Sequence, residues 1–234
     1  MQTYNLVGAG GTGSLLMPVL LKYLDSHHGE DDWYLQVIDG DHFSAANADR
    51  QQFPMTHVDE NKARTLVETY AHAKTKAIDE YVGPDNVDSI VMEHDITLIA
   101  ADNYTVRAHL NDHLRKLNDG FIINGGNEEL DGSCQIYWRN EGANKLPPLD
   151  HLHPEIAVKD GEDRALMDCM TVAALPGGGQ TVIANLMSAT IMLNALRMVH
   201  DYLAGGELTV HEIHFDLATS RMKPADWRKV EGWQ

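Results

Sequence analysis

The stretch from Tyr4 to Ser14 constrains this chain more than any other. A short apolar run, Leu6-Val7, breaks into Gly8-Ala9-Gly10-Gly11-Thr12-Gly13-Ser14 and then into an apolar segment of helical length. Glycines at 8, 10 and 13 have the spacing G-x-G-x-x-G. In that pattern a strand turns tightly into a helix, the backbone approaches a phosphate, and the helix packs directly on the strand. The N–H groups and the positive dipole end at such a helix start favour an anion. A second apolar run, Leu35-Gln36-Val37-Ile38, ends at Asp39, where a carboxylate can accept hydrogen bonds from ribose hydroxyls. The first fifty residues therefore read as a nucleotide site.

The remaining elements continue the same alternation. Strands are expected at 3–8, 34–39, 88–93, 96–101, 121–124, 131–138 and 207–215, the one at 131–138 antiparallel. Helices are expected at 11–25, from Glu60 to about Tyr81, from a cap at Asp102 to about Leu117, and from about Gly179 to Leu203. Residues 42–58 read as loop, 139–178 as a charged, proline-containing crossing loop, and the chain from Ala218 as a polar tail. The fold class is α/β: a Rossmann-like, doubly wound, mostly parallel sheet with antiparallel C-terminal strands, in a single domain over 1–234.

Composition narrows the partners. The 234 residues carry 18 Lys and Arg against 35 Asp and Glu, a formal net charge of -17. That balance argues against nucleic acid and against anionic membranes, both of which select basic surfaces. The two cysteines, Cys134 and Cys169, make no disulfide framework, and no signal peptide is visible, so a reducing cytoplasm is the expected compartment. Thr181 to Val199 is apolar enough to raise the question of a membrane span. It contains Asn185, Ser188, Thr190 and Asn194, which favours a core helix.

A lone glycine turn is weak evidence, and the residues after it are decisive: Asp39-Gly40-Asp41, then Asn47 with Arg50-Gln51, then Lys62, then Asp102-Asn103. Together with Gly8, Gly10, Gly11 and Gly13 this order resembles the ubiquitin-activating (E1-like) superfamily, to which the ThiF family and the bacterial enzymes that adenylate sulfur-carrier proteins belong. The resemblance is good over roughly 4–125 and looser over 165–200. It implies an adenylyltransferase that uses ATP and Mg²⁺ to activate the C-terminal carboxylate of a small β-grasp, ubiquitin-like or sulfur-carrier protein with a Gly-Gly tail, and a homodimer. It implies Asp39, Asp41, Asn47 and Gln51 as nucleotide contacts, Arg50 and Lys62 as phosphate ligands, and Asp102 as the Mg²⁺ ligand. The chemistry suits these types. Arg offers a planar fork to phosphate, Lys a point charge, and Mg²⁺ takes one or two carboxylates beside phosphate oxygens.

Cys169, ahead of Leu175-Pro176-Gly177-Gly178-Gly179, is similar in place to a cysteine that in some relatives forms a thioester or an acyl disulfide. A buried, inert thiol is the alternative. Two departures stand out. The paired Cys-x-x-Cys motifs of many relatives are missing, so no structural zinc is expected. The chain also begins almost at its first strand, without the N-terminal helix whose Arg reaches a partner's ATP site. Arg107 reads as a residue on the solvent face of its helix. The thirteen histidines include His109 with His113, His151 with His153 and His211 with His214, each pair short of a third ligand, and these read as solvated or hydrogen-bonded. An NAD-dependent oxidoreductase leaves Arg50, Gln51 and Lys62 unexplained. A non-catalytic scaffold with the same fold is the remaining alternative.

Overall fold

The computed structural model describes residues 1–29, 32–157 and 180–229. Five strands lie parallel: β1 (Gln2–Val7), β2 (Trp33–Ile38), β3 (Thr75–Ile78), β4 (Ile96–Ile99) and β5 (Gly120–Asn127), in the spatial order β3-β2-β1-β4-β5. The sheet continues antiparallel through β6 (Asp131–Asn140), with β7 (Ala143–Asn144) paired to β6 alone, then β8 (Val210–Asp216) and β9 (Arg221–Asp226). The described α-helices are α1 (Gly11–His28), α2 (Lys62–Tyr70), α3 (Val87–Ile90), α4 (Tyr104–Leu114), α5 (Leu149–Leu152) and α6 (Val182–Leu203). This is the doubly wound Rossmann-like architecture expected from the sequence.

The two-residue period of each strand divides the core. Tyr4, Leu6, Leu35, Val37, Ile96, Leu98, Phe121 and Ile123 face one side, where they meet Leu16, Met17 and Leu20 of α1 and Met192, Leu196 and Val199 of α6. Val7, Ile38, Ile99 and Ile122 face the other, against Ile90 of α3, Val106 and Leu110 of α4 and Leu149 of α5. Because both faces are covered, the parallel strands are near-continuous apolar runs. The α6 helix is the one described helix long and apolar enough to cross a membrane, but half of its apolar stretch is buried, packed on α1, β5 and β6. The chain proceeds outward from β1 through β2 to β3, then crosses back to place β4 on the other flank of β1. That reversal opens a crevice at the C-terminal ends of β1 and β4, the usual ligand position in such sheets.

Four sequence expectations are corrected. The helix expected from Glu60 to Tyr81 stops at Tyr70, where Ala71 takes the left-handed conformation (φ 44°), and Thr75–Ile78 joins the sheet beside β2. The strand expected at 88–93 is instead the short helix α3. The helix after β4 is capped by Asn103, whose side chain accepts from the N–H groups of Thr105 and Val106, and not by Asp102. The polar tail contains β9, an exposed edge strand that accommodates Pro224.

Between β7 and α6, the described part of the crossing loop is ordered. Leu149 N–H donates to Asn111 Oδ1 (2.9 Å), and His153 Nε2 meets the buried carboxylate of Glu212 on β8 at 2.8 Å. Residues 158–178 of that loop lie outside the described residues. Glu212 raises the His153 pKa above the usual 6.5 against the effect of partial burial. Burial alone would raise Glu212, but the hydrogen bond and charge of His153, with the charges of His214 and His211, bring it below 4.5. The His153 contribution to stability is complete below pH 6.5 and is lost as pH rises through its raised folded pKa. The Glu212 contribution is complete above pH 4.5 and is lost as pH falls through its lowered folded pKa. His153→Gln should therefore cost most between these limits, on the order of 1 kcal/mol. Urea unfolding of both proteins from pH 4 to 9 should show the difference shrinking at the alkaline end.

Candidate functional site

The glycine turn sits at the head of the crevice. Gly8 adopts φ +97°, and a Cβ there would stand 2.7 Å from the Ala101 backbone nitrogen. At Gly13 a Cβ would lie 1.9 Å from the Gly8 carbonyl oxygen, so the helix approaches the strand as closely as backbone allows. At Gly11 a Cβ would meet the Asn185 side chain, with Nδ2 at 2.2 Å, rather than backbone. Gly10 differs: its nearest neighbour would be Gln51 Nε2 at 3.7 Å, leaving the turn open on that side. No side chain caps α1 at Gly10, so the first N–H groups of an 18-residue helix remain for an anion.

At the end of β2, Asp39 accepts from the Ala9 N–H (2.7 Å) through one carboxylate oxygen and from the Asp41 N–H (2.9 Å) through the other. Burial raises its pKa; the nearby Lys62 ammonium and the two backbone donors pull the other way without cancelling it. Asn61 joins this strand end to α2. Its side-chain amide donates to the carbonyls of Asp39 (2.7 Å) and Asp41 (3.1 Å), while its oxygen caps α2 by accepting from Arg64 N–H (2.9 Å). The next residue, Lys62, is thereby buried at 4% exposure, with its ammonium paired to Asp41. The sequence pattern did not single out Asn61, although an Asn directly before a helical run is a recognisable cap.

The 42–58 segment supplies the facing wall. Ser44 and Asn47 form a short 3₁₀ turn, in which the Asn47 carboxamide oxygen accepts from Ser44 N–H (3.2 Å) and Oγ (3.0 Å). Gln52 N–H donates to Ser14 Oγ (2.9 Å), tying the segment to α1. Arg50 is 9% exposed; its Nη1 reaches Asp49 (3.0 Å) and the Ala46 carbonyl (3.4 Å), whereas its buried Nη2 has no hydrogen-bond partner among the described residues. The buried Oε1 of Gln51 likewise has no partner among the described residues. Buried polar groups left this way are costly. A phosphate oxygen fits the guanidinium, and a donor such as an amino group or hydroxyl fits the amide oxygen.

On the other flank of the crevice, Asp102 is exposed after β4. Arg107, expected on the solvent face, instead folds back: Nε and Nη2 donate to the Ala101 carbonyl (3.1 and 3.0 Å), and Nη2 also approaches the Gly125 carbonyl (3.3 Å). It thus links the ends of β4 and β5. Burial lowers its pKa while the Asp102 charge supports it. At the start of α6, Asn185 Oδ1 accepts from Asn127 Nδ2 (3.0 Å) and lies 3.4 Å from the Thr12 hydroxyl of α1, while its buried Nδ2 has no partner among the described residues. Only the three-dimensional fold brings these positions together.

The structure therefore brings Gly8, Gly10, Gly11, Gly13, Asp39, Asp41, Asn47, Arg50, Gln51, Lys62 and Asp102 to one end of the sheet. Cys169 lies outside the described residues. Cys134 is buried in the core, with its thiol pKa pushed up by burial and then by the Glu212 charge. The Arg50 Nη2, unpartnered among the described residues, and the open side of the turn at Gly10 could receive the phosphates of a nucleotide, and the exposed Asp102 carboxylate could hold a cation beside them.

Gly13→Ala should cost about 3 kcal/mol or more, since backbone must shift to admit the methyl group. Gly10→Ala should cost less than Gly13→Ala, because its Cβ meets only an ordinary contact. Thermal and urea unfolding of the two variants would check this contrast.

This chain is structurally similar to the E. coli protein MccB solved with ATP, with a TM-score of 0.69 and 15% identity over 100% of this chain and 65% of that one. It is also similar to E. coli MccB solved with AMPCPP and MccA (0.67, 17%, 97% and 64%) and to PaaA (0.66, 15%, 97% and 64%). The chain spans just under two thirds of the length of these structures, and at such identities the likeness is one of fold. No curated protein sequence matches it. A family-wide sequence pattern described as the ThiF family matches residues 2–229, nearly the whole length, and the chain belongs to the ThiF family.

Proposed function

We propose that this chain is an adenylating enzyme, which activates a terminal carboxylate with ATP. The observation that carries the reading is the buried Nη2 of Arg50, unpartnered among the described residues, in the wall of a glycine turn left open at Gly10. A dinucleotide dehydrogenase would use the same turn and Asp39, but has no need of Arg50 and Lys62 at the phosphates. The ATP and AMPCPP named with MccB support the nucleotide assignment.

In the proposed reaction a carboxylate oxygen attacks the α-phosphorus, the bond from that phosphorus to the bridging oxygen breaks, and pyrophosphate leaves. The product is an acyl-adenylate. The N-terminus of α1 would hold phosphate oxygens, and Asp39 would turn from the Ala9 and Asp41 N–H groups to the ribose hydroxyls. Lys62, held by Asp41, would supply charge at the α-phosphate, and Arg50 at the departing pyrophosphate. Asp102 would hold Mg²⁺, which neutralises charge on the triphosphate. Positioning and electrostatic stabilisation do most of the work in such a step. Asn47 and Gln51 complete the wall, and Arg107 keeps the ends of β4 and β5 in register below it.

The carboxylate would belong to the flexible C-terminus of a peptide or of a small β-grasp carrier, a glycine-rich tail being suited to a channel lined by backbone. If the acyl group moved on, the Cys169 thiolate would attack the acyl carbon, release AMP and leave a thioester.

Calorimetry should show Mg·ATP binding and no comparable binding of NAD⁺. Arg50→Ala should weaken ATP by about tenfold to a hundredfold, the range for a charged hydrogen bond, and Gly10→Ala should also weaken it while remaining folded. Pyrophosphate exchange into ATP, assayed with a Gly-Gly-tailed carrier and with short peptides, would identify the class of carboxylate. Selective NAD⁺ binding indifferent to Arg50 would overturn the reading.

A further inference from the structure

At the end of the sheet away from the nucleotide crevice, three histidines from two helices meet. His27 and His28 close the last turn of α1, and His200 lies near the end of α6. We infer that His27, His28 and His200 form a binding site for a late first-row divalent metal ion of the zinc or nickel class, independent of the nucleotide site.

The geometry supports this directly. The Tyr4 hydroxyl stands 2.7 Å from His28 Nε2 and 2.7 Å from His200 Nε2, so both imidazoles face the same phenol oxygen, which a bound metal would contact or displace. One hydroxyl proton cannot satisfy both nitrogens as acceptors, so one ring presents its N–H to the phenol oxygen and the other a lone pair. The Tyr23 hydroxyl meets His200 Nδ1 at 2.9 Å, the kind of outer contact that fixes which nitrogen of a ligating histidine faces the metal. His27 lies flat on His200, with ring centroids 3.9 Å apart and planes 12° apart. It is exposed, so its ring can turn edge-on.

A nitrogen from each ring falls within 4.8 Å of the others. Tetrahedral zinc with bonds of about 2.0–2.1 Å needs ligand atoms about 3.3 Å apart, a difference that side-chain rotation covers. Charge agrees: the C-terminal ends of α1 and α6 both favour a cation. Imidazole donors suit zinc, nickel and copper better than magnesium or calcium.

The test is titration of the metal-free full chain with Co²⁺ as a spectroscopic probe, followed by competition with Zn²⁺. One equivalent of Co²⁺ should give the intense visible absorption of a four- or five-coordinate site, and Zn²⁺ should remove it. His27→Ala and His28→Ala should each lower affinity at least about tenfold, since even outer-shell changes cost that much. His27 is exposed, so its variant stays folded and remains informative even if His200→Ala unfolds. Octahedral cobalt spectra alone, or affinity unchanged in His27→Ala and His28→Ala, would overturn the proposal.

Discussion

The closest contact in the site is one that no side chain could make: the first turn of α1 lies against the Gly8 carbonyl, leaving only 1.9 Å for a Cβ at Gly13. Helix and strand can meet there only through glycine. That contact sets where α1 begins and directs its free N–H groups over the ends of β1 and β4. It also fixes the helix that carries Leu16, Met17 and Leu20 into the larger of the two apolar layers. The nucleotide site and the core are thus positioned by the same few atoms.

The second constraint is electrostatic. Lys62 and Arg50 are both nearly excluded from water, a costly position for a cation without a partner. Lys62 is settled by Asp41, which Asn61 holds in place from the cap of α2. Arg50 is satisfied at Nη1, and among the described residues nothing meets Nη2. The two cations thus differ: one is paired within the described fold, while the other keeps a donor that a phosphate oxygen would suit.

Much of this was legible in the chain. The glycine spacing and the apolar runs at Leu6-Val7 and Leu35–Ile38 placed the parallel strands. The order of Asp39, Asp41, Arg50, Lys62 and Asp102 already pointed to one site. The features that the sequence hid were decided by tertiary contact. Good helix formers continue past Tyr70, and only pairing of Thr75–Ile78 with β2, with Ala71 in the left-handed conformation, ends α2. Val87–Ile90 is apolar and β-branched in part, yet it packs on the sheet as one helical turn. Asp102 and Asn103 are both competent caps, and local propensity does not choose between them. The direction of the Arg107 side chain depends on carbonyls of β4 and β5 that its own helix pattern does not reveal. The meeting of His27 and His28 with His200 likewise depends on α1 lying against α6.

A crystal structure with AMPCPP and Mg²⁺ would show whether the Arg50 donor and the open glycine turn receive a triphosphate. Phosphate oxygens are expected on the N-terminus of α1, one of them within hydrogen-bond distance of Arg50 Nη2, with ribose hydroxyls at Asp39. A nucleotide bound elsewhere, or bound at the turn with Arg50 Nη2 still unengaged, would contradict the proposed function.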